Sequence, residues 1–275
     1  MKTKDEIRSQ VTRAYGQAIL KTAGCCASAP NSAYAREIGY SPEEVKVNES
    51  AAGSSMGCGN PFAFSGVRSG DNVLDLGAGA GLDLLIAAEK VGPTGRVIGV
   101  DMTPEMIATA RANAAASPHR NIDIRKGLIE DLPVENETVD WVISNCVINL
   151  SPEKDKVFNE IYRVLKPGGH FSISDIVVSE LPENLRENPY VYNSCLGGAI
   201  SEQEYLDGLK AAGFTEVDVA KRVEFTSATI NSLIDDALSK TCCLEPISER
   251  VDLEQLTRQI AGRVQSLNFV GLKPL

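Results

Sequence analysis

Seven cysteines carry most of the reactive chemistry in this chain: Cys25, Cys26, Cys58, Cys146, Cys195, Cys242 and Cys243. No two have Cys-x-x-Cys spacing, and the only histidines are His119 and His170, so a structural zinc site of the usual pattern is not expected. The N-terminus, Met1-Lys2-Thr3-Lys4-Asp5-Glu6, lacks the apolar core of a signal peptide. An odd number of cysteines behind it reads as free thiols in a cytoplasmic protein, not as a disulfide framework. Taken singly, a free cysteine is commonly a small buried hydrophobe. Three of them keep company that a core cysteine seldom has: Gly57 and Gly59 flank Cys58, Asn145 precedes Cys146 and Ser194 precedes Cys195. Thiolates are ligands for soft centres.

The second chemical feature is Val73-Leu74-Asp75-Leu76-Gly77-Ala78-Gly79-Ala80-Gly81-Leu82-Asp83. An apolar strand runs into a glycine-rich turn and then a helix N-terminus, an arrangement that brings a nucleotide-like ligand close to the main chain. The glycines are spaced by two and the sixth place is Leu82, which departs from the dinucleotide fingerprint. Asp75 before the loop would oppose a pyrophosphate and welcome an ammonium group. S-adenosylmethionine, with an ammonium and no phosphate, fits better. By itself such a loop is equally read as a plain turn. Arg96–Asp101 gives the next strand, ending in an acid placed to bind ribose hydroxyls or, with Thr103, to cap the helix that Pro104 opens. Asp83 is read as a helix cap or a cofactor contact. Gly127-Leu128-Ile129-Glu130-Asp131-Leu132-Pro133 follows a third strand and is placed to lie against an adenine ring.

These pieces need a scaffold, and the 275 residues supply one. Strand and helix alternate from Val73: strands near 73–76, 97–101, 122–125, 139–145, 169–177, 216–225 and 264–273, helices near 82–90, 104–115, 153–165 and 202–212. That pattern is an α/β fold, a mostly parallel seven-stranded sheet with helices on both faces. Lys166-Pro167-Gly168-Gly169 reads as a helix stop and turn. Residues 1–24 read as an amphipathic helix with Ile7, Val11, Ala14 and Ala18 on one side, and Ser41-Pro42-Glu43-Glu44-Val45 as a short capped one. The expected organisation is an N-terminal cover over 1–66, a cofactor-binding core over 67–178, and an insertion with C-terminal elements over 179–275. Cys146 falls at the carboxyl end of the fourth strand, where ligands bind in doubly wound sheets. The net charge of −10 argues against nucleic acid or an anionic membrane as partner, and no run is long enough to span a bilayer.

The glycine loop, the strand-ending Asp101 and the 127–133 segment, in that order, resemble a class I (Rossmann-like) S-adenosylmethionine-dependent methyltransferase. Four motifs narrow this. Gly57-Cys58-Gly59-Asn60-Pro61, Val100-Asp101-Met102-Thr103-Pro104-Glu105-Met106, Ser144-Asn145-Cys146-Val147-Ile148-Asn149-Leu150 and Cys195-Leu196-Gly197-Gly198-Ala199 look like the arsenite methyltransferase family. Met56 departs from the leucine often found there. The resemblance implies that Cys58, Cys146 and Cys195 bind trivalent arsenic, with Cys25 or Cys26 assisting capture and disulfide exchange and Cys242-Cys243 outside catalysis. The donor contacts expected are Asp75, Gly77, Gly79, Gly81, Asp101, Met102, Ile129, Glu130 and Asn145. Implied partners are arsenite and methylated trivalent arsenicals, with glutathione or thioredoxin as reductant. Trivalent arsenic is soft, three sulfurs complete its pyramid, and its lone pair stays free to take a methyl group; antimony satisfies the same argument. Two other readings are a carbon or oxygen methyltransferase of a quinone-like molecule, which leaves the cysteines without purpose, and a non-catalytic metalloid-binding protein, which leaves the glycine loop and Asp101 without purpose.

Overall fold

A computed structural model of the chain describes residues 2–22, 35–36, 38–47, 49–231, 260 and 262–275. Cys25, Cys26, Cys242 and Cys243 lie outside the described residues. In chain order the main elements are α1 (Lys4–Thr22), α2 (Pro42–Val47), β1 (Asn72–Leu76), α3 (Leu82–Val91), β2 (Arg96–Asp101), α4 (Pro104–Ala116), β3 (Ile122–Lys126), β4 (Val139–Asn145), α5 (Lys154–Val164), β5 (Leu165–Val178), α6 (Pro189–Asn193), α7 (Glu202–Ala211), β6 (Thr215–Glu224) and β7 (Val264–Leu272). The strands form one sheet in the order β3-β2-β1-β4-β5-β7-β6. β1 to β5 pair in parallel, and β7 runs antiparallel to both β5 and β6. The mostly parallel seven-stranded sheet read from the sequence is therefore the fold.

Burial on both faces explains the strand composition. Val73, Leu74 and Leu76 of β1 and Val142 and Ile143 of β4 are fully buried, as central parallel strands require. α5 turns Val157, Phe158, Ile161 and Val164 inward at helical spacing, and each such side chain stabilises the fold by about 1.5–3 kcal/mol relative to exposure. Two helices begin as the sequence suggests. Ser41 Oγ accepts the Glu44 amide at 3.1 Å while the Glu44 carboxylate accepts the Ser41 amide at 2.9 Å, and Ser201 with Glu204 repeats the motif at α7.

One boundary differs. The expected turn at Lys166–Gly169 lies inside β5, whose ladder passes from Val139↔Leu165 directly to Trp141↔His170. The intervening residues bulge out around Gly168 at φ +76°.

The strand order reverses between β1 and β4, so the loops after these two strands meet at the topological switch point. α1 closes over that end. It buries Val11, Ala14, Ala18 and Ile19 and is tied down by charge. Arg8 pairs with Glu130 at 3.1 Å and Glu153 at 2.5 Å, and Lys4 reaches Glu153 at 2.7 Å. The Lys4, Lys156 and Arg8 donors hold the Glu153 carboxyl down to about 2. Among the described residues no helix is long and apolar enough to cross a membrane. Replacing Arg8→Ala is expected to speed solvent exchange of the α1 amides while those of β1 and β4 keep their rates. Unchanged α1 exchange would show that its apolar face alone holds it.

Candidate functional site

The site is built where three turns interlock. Cys146 directly follows β4, its amide bonded to Ser174 O of β5 at 2.8 Å. Cys195 follows α6, its amide bonded to Tyr192 O at 3.0 Å. Both residues sit in the left-handed region, φ 59° and 66°, at a cost of about 1–2 kcal/mol each that the surrounding bonds sustain. Cys58 lies in the loop entering the core, and Ser266 Oγ of β7 donates to its carbonyl at 2.9 Å.

Glycines permit the approach. A Cβ on Gly57 would stand 2.3 Å from Asn145 Nδ2, one on Gly59 2.9 Å from Ser174, and one on Gly198 1.9 Å from the carbonyl oxygen of Asn149. A Cβ on Gly77 would meet Val147 at 2.4 Å, so the glycine loop after β1 packs directly on the residue after Cys146.

Cys58, Cys146 and Cys195 thereby fall in one buried cluster, in which Cys58 Sγ and Cys146 Sγ lie within 4.8 Å of each other. The Cys195 thiol donates to Cys146 O at 3.0 Å, and the Cys58 thiol to Ser174 O at 3.8 Å, the carbonyl that also accepts the Cys146 amide. The neighbouring Cys195 and Cys58 thiols, then burial, push the Cys146 thiol well up, and burial pushes Cys58 up. Both are thiols, not thiolates, at neutral pH.

Two asparagines of the fourth-strand motif fix the turns. Asn145 Oδ1 accepts the amides of Cys58 at 3.0 Å and Gly59 at 3.3 Å, and its Nδ2 donates to Gly59 O at 2.7 Å and Tyr40 Oη at 2.9 Å. Asn149 donates through Nδ2 to Asp175 Oδ1 at 2.8 Å and to Ile176 O at 2.6 Å. The side chain expected to orient the donor, Asn145, thus grips the Cys58 loop while also facing the cavity.

That cavity opens beside Cys146. Gly77, Gly79, Asp101, Met102, Ile129, Glu130 and Asn145, all expected there, line it; Asp75 and Gly81 do not. Gly81, at φ 91°, starts α3. Asp75 is buried behind the loop with Oδ2 unpartnered, and burial and then Asp83 and Asp101 raise its carboxyl well up. Asp101 accepts the amides of Gly79 at 3.0 Å and Thr103 at 2.8 Å, tying β2 to the glycine loop, and α4 begins without a side-chain cap. Asp83 makes no cap either. It accepts Tyr40 Oη–H at 2.7 Å and lines the cavity, its carboxyl raised to about 6 by burial. Glu130 is engaged by Arg8 and by Ser151 at 2.8 Å.

The wall suits a cation. It carries Asp83, Asp101 and Glu130, and its one arginine, Arg8, is already paired. A sulfonium and an ammonium fit there and a pyrophosphate does not, while Met102 and Ile129 offer apolar surface for a base.

Tyr40, Asn149 and Asp175 are not singled out as site residues by their sequence context. Asp175 had a signal, a lone acid in the apolar run Ile173–Val178 of a strand covered on both faces.

Two predictions follow from this packing. Gly198→Ala forces backbone apart from backbone and is expected to lower stability by about 1–3 kcal/mol in denaturant unfolding; an unchanged midpoint would mean that the turns can separate freely. Asp83 binds its proton more tightly folded than unfolded, so its stabilisation is complete below about pH 4 and is lost as pH rises through about 6. Asp83→Asn is therefore expected to flatten the dependence of the unfolding midpoint on pH across that window.

Comparison with known proteins agrees with this geometry. A family model described as "Methyltransferase domain" matches residues 67–213. An arsenite methyltransferase of Halobacterium salinarum is 45% identical over 204 residues, covering 74% of this chain and 52% of that protein. The Homo sapiens arsenite methyltransferase is 35% identical over 225 residues, 76% of this chain and 58% of that protein. The chain thus spans little more than half the length of these two curated relatives. The crystal structure of an arsenic (III) S-adenosylmethionine methyltransferase from Chlamydomonas reinhardtii superposes with a TM-score of 0.64 at 31% identity, covering 90% of this chain and 75% of that one. With its switch-point cavity, and with relatives at 35% and 45% identity over about three quarters of its length, the chain belongs to the arsenite S-adenosylmethionine methyltransferase family of class I methyltransferases.

Proposed function

We propose that this chain transfers the methyl group of S-adenosylmethionine to the lone pair of trivalent arsenic, as arsenite or methylarsenite, in arsenic detoxification. The observation that carries the reading is the clustering of Cys58 and Cys195 with Cys146, which lines the same cavity as the glycine loop. Gly77, Gly79, Asp101, Met102, Ile129 and Glu130 would hold the donor, which supplies an electrophilic methyl carbon on its sulfonium.

The rest is the work of the chain's own residues. Each raised thiol keeps a proton at neutral pH. An arsenic hydroxyl leaves as water by taking that proton as the As–S bond forms, so three hydroxyls of arsenite consume three thiol protons and no strong base is needed. Sulfur is the soft partner that trivalent arsenic prefers. Asn145 grips the Cys58 loop and Asn149 ties the turn after Cys146 to Asp175, and alignment with reacting atoms about 3–3.5 Å apart supplies much of the acceleration. Tyr15 and Val11 of α1 cover the mouth and exclude water.

In this reading 67–178 forms the donor-binding core, 1–66 its cover and 179–275 the arsenic-binding insertion with the strands that complete the sheet. Cys25 or Cys26 assists capture and disulfide exchange, glutathione or thioredoxin returns arsenic to the trivalent state, and the cytoplasm, where thiols stay reduced, is the compartment.

Cys146→Ser or Cys195→Ser is expected to abolish methylation of both arsenicals while calorimetric titration still shows donor binding. Cys58→Ser should impair arsenite more than methylarsenite, which has one fewer hydroxyl to exchange. Cys242→Ser with Cys243→Ser should leave turnover unchanged. Turnover retained in either of the first two variants would refute the three-sulfur site.

A further inference from the structure

A pyramidal, neutral arsenic tris-thiolate has no use for a carboxylate, yet one is buried against its sulfurs. Cys58 Sγ, Cys146 Sγ and a carboxylate oxygen of Asp175 all lie within 4.8 Å of one another, and all three residues are buried. We infer that Cys58, Cys146 and Asp175, with Cys195 completing a tetrahedron, form a binding site for a thiophilic divalent cation, zinc or cadmium, that excludes arsenic when filled.

Three observations support the set. Bonds of about 2.3 Å to sulfur and 2.1 Å to oxygen place tetrahedral donors about 3.6–3.8 Å apart, so a contraction of about 1 Å brings Cys58, Cys146 and Asp175 to bonding separation, and Cys195 reaches the fourth place by a further shift of its turn. Asp175 is oriented as a ligating carboxylate is, by hydrogen bonds from outside. Oδ1 accepts Asn149 Nδ2 at 2.8 Å and the Ile176 amide at 2.9 Å, whereas Oδ2 has only the longer bonds from the Asn149 amide at 3.2 Å and Tyr205 Oη at 3.3 Å. Oδ2 is the oxygen with capacity to spare. Charge also fits. Three thiols release their protons to solvent, and a dication with three thiolates and one carboxylate is left with two negative charges. The half-buried Lys154 ammonium, already attracted to Asp175 and Cys195, offsets one of them.

The inference stands apart from the methyl-transfer reading, since it needs Asp175 and arsenic does not. The test uses the reduced full-length chain with Cys25→Ser, Cys26→Ser, Cys242→Ser and Cys243→Ser, so that only the three described thiols remain. Titrated cobalt(II) is expected to give intense thiolate charge-transfer and tetrahedral ligand-field bands, which cadmium removes and arsenite suppresses. Asp175→Asn should weaken cadmium binding by about tenfold or more and leave arsenite binding within about twofold. X-ray absorption of the cadmium-loaded protein, which needs no substitution at Asp175, should show oxygen beside sulfur in the inner shell. Absent tetrahedral bands, an all-sulfur shell, or equal cadmium affinity in a folded Asp175→Asn variant would overturn the inference. Cadmium binding without arsenite binding would leave it standing and sink the methyl-transfer reading instead.

Discussion

Close approach of glycine backbone to its neighbours around the switch point is what the rest of the molecule depends on. Three turns that are 50 to 140 residues apart along the chain meet because Gly57, Gly59 and Gly198 present no Cβ to Asn145, Ser174 and Asn149. The gain is positional. With the turns locked, Cys146 and Cys195 are held in left-handed backbone that cysteine does not choose by itself. The donor loop shares the same packing, since Gly77 rests on Val147. A shift in one turn therefore moves the sulfurs and the cavity together.

Electrostatics divides this small region in two. The cavity is lined by carboxylates, of which Asp83 and Asp101 are raised by burial, so the space favours a cation. Beside it the Cys58 and Cys146 sulfurs are protonated and neutral, with Asp175, raised to about 6 by burial, and Lys154, lowered to about 8 by burial, near them. Neutral thiols cost less to bury than thiolates and bring the protons that hydroxyl exchange consumes. High thiol pKa values, which would handicap a cysteine nucleophile, suit this chemistry.

α1 couples the two halves. Its Arg8 holds Glu130 of the cavity wall, and its Tyr15 hydroxyl reaches the Cys195 sulfur at 3.7 Å and donates to Asn193 O at 3.1 Å. One helix thus touches donor cavity and thiol cluster, and it is held both by its buried apolar face and by polar bonds that water can replace.

Much of this was legible in the chain itself. The alternation of strand and helix determined the sheet, because period-2 and period-3.6 burial cannot be exchanged, and the glycine loop and strand-ending Asp101 marked the cavity. The polar and glycine neighbours of Cys58, Cys146 and Cys195 set them apart from core cysteines. Local sequence could not say where each polar side chain spends its hydrogen bonds. Asp101 reads as a ribose ligand or a cap and Asp83 as a cap or a cofactor contact; both line the cavity, where Asp101 bonds to Gly79 and Thr103 and Asp83 to Tyr40, and Asn145, read as a donor ligand, also holds the Cys58 loop. Asp175 carried only the oddity of an acid in an apolar strand. Those choices belong to tertiary structure, since a polar group buried by folding must bond to whatever the packing brings within about 3 Å, and that partner is usually remote in sequence.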